Sequence, residues 1–317
     1  MFKKISLLFL IFAFAFAPVF AREDKDIEVS RDKGGIYIFK IPLEKYKNKI
    51  KPYVSDELTT ASEVFNNPEL NFKLVVNGGY FDPVTGAPAS IVKINGKTVE
   101  SIFSNAPLME SLEESGRIEE VLNRSEFRIL EDNKNNILFD ITNHFHLQKD
   151  NQRIVHAIQA GPMILPKLRL EEESFITYKD RRSIQLAADV LKRRERTIIG
   201  LKRGVLGNDY LYIIIFTKDH KVALNEARDY CLKLRLNKAM AMDGGASTSI
   251  NYEDIEISSN DANQRRVKSF LVIENDEAEI QNDEQTEDTT FDSDIKTDTV
   301  NVEENENIKE TKGEENE

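Results

Sequence analysis

Asp243-Gly244-Gly245-Ala246-Ser247-Thr248-Ser249 places an acid, two glycines and three hydroxyls in one short stretch. The apolar run Ala239 to Met242 precedes it and reads as a buried strand that delivers the carboxylate at its end. Paired glycines let the backbone turn sharply and bring its N–H groups close to a ligand, where a Cβ would intrude. An acid, accessible N–H groups and small hydroxyls together suit a polar, oxygen-rich substrate. The same residues also read as an ordinary strand-ending turn, and taken alone they favour that plainer reading.

Further glycine turns follow strand-like runs. Phe72 to Val76 ends in Asn77-Gly78-Gly79-Tyr80-Phe81-Asp82-Pro83, and Ile154 to Gln159 leads into Ala160-Gly161-Pro162. Repetition of such turns points to one shared site at one end of a sheet, built from loops on a rigid scaffold. Chance strand ends are the alternative. Arg196 opens the apolar run to Leu201, and its planar fork matches two phosphate oxygens at once. Lys192-Arg193-Arg194 beside it make a solvated charge the competing account. His144 and His146 would share a strand face but lack the carboxylate partner a metal site calls for, so no metal is assigned.

The elements that must position these residues are mostly strands. Gly34 to Leu43 alternates apolar and polar residues, and Leu211 to Phe216 is almost continuously apolar, as a central strand would be. Ser90 to Ile94 and Lys97 to Val99 flank Asn95-Gly96, the pair a type I′ hairpin requires. Phe127 to Leu130 pairs with Ile137 to Ile141, a hairpin turns at Glu253-Asp254, and Val267 to Ile273 is the last strand. Thr60 and Glu63 form a capping box for a short helix ending near Asn66-Asn67-Pro68. A second helix runs from Asn225, its cap, to Leu236, with Ala227, Tyr230, Cys231 and Leu234 on one face. Leu168 to Arg182 is polar and irregular, a candidate mobile loop. The fold class is α+β: a strand-rich single domain of mixed or antiparallel sheet with a few packed helices.

Charge and termini bound the rest. Glu274 to Glu317 holds 18 acids against three lysines, −15 within a total of −12, which leaves the remaining chain at +3. The body is nearly neutral, which excludes a global-charge case for nucleic acid. The tail has Phe291 as its one aromatic residue and cannot offset its ordering entropy, so disorder is predicted. Lys3 and Lys4, the apolar Ile5 to Phe16 and Val19-Phe20-Ala21 make a signal peptide cut before Arg22. An uncleaved anchor is the alternative, though the run is short for a span of about 20 residues. The division is therefore 1–21 signal peptide, 22–71 strands and helix leading into the domain, 72–273 domain, and 274–317 acidic tail. Cys231 is the one cysteine, so no intramolecular disulfide forms.

The ordered series Asn77-Gly78-Gly79-Tyr80-Phe81-Asp82, Ala160-Gly161-Pro162-Met163-Ile164-Leu165, Arg196-Thr197-Ile198-Ile199-Gly200, Glu226 and Asp243-Gly244-Gly245-Ala246-Ser247 resembles the phosphodiester glycosidase family over roughly Phe72 to Ile273. Ala246 stands where a third glycine is common, and Arg265-Arg266-Val267 only loosely matches the family's segment before the final strand. The resemblance implies cleavage between an anomeric carbon and a phosphodiester oxygen, through a transition state with oxocarbenium character. On that expectation Asp243 is nucleophile or base, or else a structural acid bonding its own turn. Glu226 is a second acid, or only a stabiliser of the helix N-terminus. Asp82 is a second acid or sugar ligand, or a plain turn acid before Pro83.

Asn77, Gly78, Gly79, Tyr80, Gly161, Arg196, Thr197, Gly244, Gly245, Ser247 and Thr248 would bind sugar or phosphate. No cofactor or metal is called for. The expected partner is a small molecule or polymer containing a sugar phosphate, with no nucleic acid and no stable membrane insertion after signal cleavage. The function expected is an exported hydrolase, periplasmic or extracellular, with a non-catalytic glycan- or phosphate-binding envelope protein as the alternative.

Overall fold

Strand after strand in this chain is apolar on both faces, which requires a layer of protein on each side. In the computed structural model, residues 26–276 are described, except 33, 180, 181, 188, 205, 206 and 260–263. The predicted signal peptide and the tail predicted to be disordered beyond Asp276 lie outside the described residues. The strands in chain order begin with β1 (Glu28–Asp32), β2 (Ile36–Pro42), β3 (Ile50–Thr59), β4 (Phe72–Asn77), β5 (Val92–Ile94) and β6 (Lys97–Glu100). There follow β7 (Ser125–Asp132), β8 (Ile137–Asn143), β9 (Gln152–Gln159), β10 (Met163–Leu165), β11 (Ile176–Lys179) and β12 (Arg182–Gln185). The last are β13 (Arg196–Lys202), β14 (Tyr210–Phe216), β15 (Lys238–Ala241), β16 (Ser249–Tyr252), β17 (Ile255–Ser258) and β18 (Val267–Glu274). The helices are α1 (Leu43–Tyr46), α2 (Ala61–Phe65), α3 (Ala106–Ser115), α4 (Ile118–Leu122) and α5 (Leu224–Lys233).

A six-stranded sheet runs β1-β2-β14-β13-β15-β10, and two five-stranded sheets run β17-β16-β4-β18-β3 and β6-β5-β9-β7-β8. Strands β11 and β12 form a separate hairpin. The α+β expectation holds, and every pairing among the described residues is antiparallel. Strand β14 explains its own sequence. Leu211, Ile213 and Ile215 enter a core shared by the three large sheets, while Tyr212, Ile214 and Phe216 face a second core beneath α5. A third core joins α2 to the other face of β4 and β18.

Several local expectations hold in detail. Thr60 and Glu63 close a reciprocal capping box on α2. Asn95 and Gly96 take φ of 50° and 76°, the positive pair that the β5–β6 turn needs. Others need correction. Helix α5 starts two residues earlier than expected, with Ala223 rather than Asn225 as its N-cap. The stretch Leu168 to Arg182 is no simple loop, because Glu173, Ser174, Phe175 and Ile176 are buried and lead into β11. Residues 28–59 supply three strands, of which β2 is internal to one sheet and β3 pairs with β18.

Candidate active site

Two sheets meet end to end at Asn77. Its side chain is fully buried, and its Nδ2 donates to the Asp243 carbonyl at 2.7 Å. Its Oδ1 accepts from Thr197 Oγ1 at 2.6 Å and from the Ser249 N–H at 3.1 Å. One amide thus ties the end of β4 to the start of β13, the end of β15 and the start of β16. The Asp243 N–H adds a bond to the Gly78 carbonyl at 3.0 Å, and Met242 N–H one to Thr197 O at 2.9 Å. The backbone of Asp243 is therefore clamped at both its N–H and its C=O, which fixes where its carboxylate can point.

That carboxylate lines a cavity of about 350 Å³ together with Tyr80, Arg196, Gly244, Gly245, Ser247 and Arg265. Burial pushes the Asp243 carboxyl up to about 6. Opposing the burial are the Ser247 hydroxyl, the Gly244 N–H at 2.8 Å, and the charges of Arg265 and Arg196. The bond to Gly244 is the turn-capping contact that the structural alternative foresaw. The cavity and the raised carboxyl are what that alternative does not supply. Gly245, at φ 59°, has nothing within 4 Å of where a Cβ would sit, so its face of the turn is open to a ligand.

The other glycines serve close packing. A Cβ on Gly78 would lie 2.6 Å from the Ser269 carbonyl oxygen, and one on Gly79 would strike the Gln159 carbonyl. Gly161 (φ 97°) has the Glu173 carboxylate against its face. Gly161 also accepts the Tyr80 hydroxyl on its carbonyl at 2.6 Å and, with Pro162, brackets Ala241. The turns do converge, but Asn77, Gly78, Gly79, Gly161, Thr197 and Thr248 stand behind the cavity wall rather than on it. Thr248 Oγ1 is buried with no partner among the described residues.

Arg196 is on the wall, yet most of its guanidinium is already occupied. Nη2 donates to the carbonyls of Lys192 (2.8 Å), Asp189 (3.1 Å) and Val190 (3.5 Å), and Nε to Val222 (3.4 Å). Arg196 therefore holds the 189–192 loop against the cavity, with Nη1 left beside Gly244. Arg265 is exposed and is the less committed cation beside Asp243.

Asp82 and Glu226 lie off the cavity wall. Asp82 accepts from the N–H groups of Val84 (2.8 Å) and Thr85 (3.0 Å), bonds that hold its carboxyl below the usual range. It is placed as a turn acid. Glu226 accepts from the Ala223 N–H at 2.8 Å and pairs with Arg193, and its carboxyl is likewise lowered, chiefly by the Ala223 bond. It is placed as the helix-start acid.

A family profile described as phosphodiester glycosidase matches residues 71–274. The chain belongs to the phosphodiester glycosidase family. Its fold is similar to the zebrafish N-acetylglucosamine-1-phosphodiester alpha-N-acetylglucosaminidase catalytic domain auto-inhibited by pro-peptide, with TM-score 0.51 and 14% identity over 79% of this chain and 82% of that one. A Synechocystis protein (11% identity, 78% of this chain, 61% of that) and a Burkholderia pseudomallei K96243 protein named for presumed export (10%, 76% and 74%) each give a TM-score of 0.48. No curated protein sequence matches the chain.

Within this family domain, the wall also uses residues that the sequence reading passed over. Phe175 packs its ring 5.8 Å from Tyr80, and the Arg124 guanidinium lies 4.2 Å over Phe175. Glu173, fully buried, accepts from Ser125 N (3.0 Å), Ser125 Oγ (2.7 Å) and Met163 N (3.1 Å), which seats the Phe175 segment. Asp189 and Arg194 pair at 2.9 Å at the rim. Alternation around Glu173 is absent, so nothing in that stretch signalled burial. Arg265 carried one visible signal, its place just ahead of the last strand.

Proposed function

We propose that the cavity hydrolyses a glycosyl-1-phosphodiester, separating the anomeric carbon from the phosphodiester oxygen, and that the protein acts after export. The observation carrying this reading is Asp243: a positionally clamped, recessed carboxyl at about 6, beside the cations of Arg196 and Arg265. As the C–O bond lengthens, positive charge grows at the anomeric carbon, and the Asp243 carboxylate stabilises it, attacks it, or activates the incoming water. The departing group is a phosphomonoester whose second ionisation lies at about 6, so it leaves without a proton from a dedicated acid. That fits a wall on which Asp82 and Glu226 take no part. Arg265 meets the phosphate, and the open face at Gly245 leaves room for the sugar, while the Gly244 and Gly245 N–H groups are already bonded to the Asp243 carboxylate and the Glu195 carbonyl. A volume of about 350 Å³ suits a sugar phosphate rather than a long glycan segment.

Among the described residues Asp243 faces the cavity with no second unpaired acid, since Asp189 on the rim is paired with Arg194, and this favours a second reading, a non-catalytic glycan- or phosphate-binding protein. Synthetic N-acetylglucosamine-1-phosphate diesters and wall-polymer fragments separate the two. Sugar release by the wild type and its loss in Asp243→Asn support hydrolysis. Retained binding with no release across the panel supports the binding protein. Equal release by both proteins removes Asp243 from the chemistry.

A further inference from the structure

Strand β13 runs from Arg196 at the active-site cavity to Lys202 at a larger one of about 640 Å³. Six residue steps at about 3.3 Å separate the two by roughly 20 Å. The larger cavity lies between α1, β8, the 146–149 segment and the ends of β13, β14 and β15. Nothing in the hydrolytic proposal uses it.

Its lining has two parts. The first is cationic and uncompensated. Lys47 is paired with Glu44 at 3.0 Å, and Lys238 with Asp140, so those charges cancel locally. Lys202 donates its amine to the Leu234 carbonyl at 3.0 Å, a neutral partner that leaves its charge standing. Lys149 and Arg203 are exposed, and neither side chain has an ion-pair partner among the described residues. Asp209 is the remaining acid of the lining, and its carboxylate accepts from the Gly204 N–H at 3.2 Å. The balance on the wall is positive, and low-dielectric surroundings focus it into the concavity.

The second part is apolar. Leu43, Leu130 and Leu201 form a buried floor, while Leu138 is 37% exposed and Leu147 87% exposed at the mouth. Leu147 is carried on a segment that is firmly held: the fully buried Arg128 donates to the carbonyls of Asn143 (3.0 Å), His144 (2.6 Å) and His146 (2.8 Å). Buried Glu126 pairs with Arg128 and meets His144 Nδ1 at 2.7 Å. A leucine so exposed on a segment so anchored leaves apolar surface uncovered for a ligand, since the segment has little freedom to fold it away.

We propose that this cavity binds an amphipathic anion, a phosphate or carboxylate joined to an apolar body, with the charged end at Lys149, Lys202 and Arg203 and the apolar body over Leu138 and Leu147. Its volume is in the ordinary range for a small-molecule site.

Isothermal titration of the full chain with octyl phosphate tests this, with inorganic phosphate and 1-octanol as its two halves. One octyl phosphate binds per chain, at least tenfold more tightly than either half. The exposed double variant Lys149→Glu, Arg203→Glu weakens it at least tenfold, and Leu147→Asn severalfold, with unfolding midpoints and sugar-phosphodiester turnover unchanged. Arg265→Ala leaves octyl phosphate binding intact. Equal affinity for either half, indifference to the charge reversal, or loss of binding in Arg265→Ala overturns the proposal. So does adhesion to phosphatidylglycerol vesicles without binding of monomeric octyl phosphate, which would make the patch a membrane surface instead.

Discussion

A carboxyl held at about 6 costs the folded state something, and Asp243 makes that cost measurable. Its ordinary value is 3.8, so between 3.8 and about 6 the folded form keeps a proton that the unfolded chain has released. Stability therefore falls as pH rises through that window, and above it the full penalty, roughly 3 kcal/mol, is present. Asp243→Asn removes the charge. Chemical denaturation at pH 8 is expected to show the variant more stable than wild type by up to about 3 kcal/mol, the gain shrinking towards pH 4. The same variant loses sugar release by about a thousandfold or more, equivalent to several kcal/mol of barrier. The rate of the wild type rises with pH through about 6 as the carboxylate forms; a fall through that pH would instead make Asp243 the proton donor. Asn77 behaves oppositely. Asn77→Ala strands the Thr197 hydroxyl and the Ser249 N–H in a dry interior, a loss of about 3 kcal/mol or more. Its thermal midpoint and its turnover should drop together, whereas Asp243→Asn separates them.

Elements explain which expectations survived. Strands β4, β13, β14, β15 and β18 were legible because each is a short apolar run bounded by glycine or polar turns, and α2 because Thr60 and Glu63 sit at capping-box spacing. Helix α3 was missed although Asn105 caps it, Pro107 lies in its first turn and Gly116 ends it at φ 66°. Its apolar face is narrow, with Leu112 its one buried residue, so periodicity was faint. The Glu173–Phe175 segment was missed for a different reason: it is buried through one carboxylate's long-range bonds to Ser125 and Met163, which local sequence cannot encode. The candidate acids divided the same way. Asp243, read from its strand-end position, lies on the cavity wall, whereas Asp82 is bonded within its own turn and Glu226 within the first turn of its helix. Glu226→Gln is accordingly expected to leave sugar release within twofold and to shift stability by less than about 1 kcal/mol, since the Arg193 pair is solvent-exposed. A hundredfold loss in kcat would return Glu226 to the chemistry.

At the scale of the molecule, the strands that frame the site are far apart along the chain. Strand β2 pairs with β14, and β18 lies between β3 and β4, so early and late segments share sheets. A chain cut to 72–273 loses β1, β2 and β3, exposing the edges of β14 and β18, and should give no cooperative unfolding transition by circular dichroism. Refolding of the longer chain should be slow, because distant antiparallel pairings demand loop closure before they repay it. Strand β18 adds a matter of timing. It is the keystone of its sheet, bonded on both sides, and its last residues are among the last of the folded body to be synthesised. A chain whose keystone is made late is expected to stay unfolded until that strand exists, so a polypeptide stopped at residue 266 should show no cooperative unfolding transition.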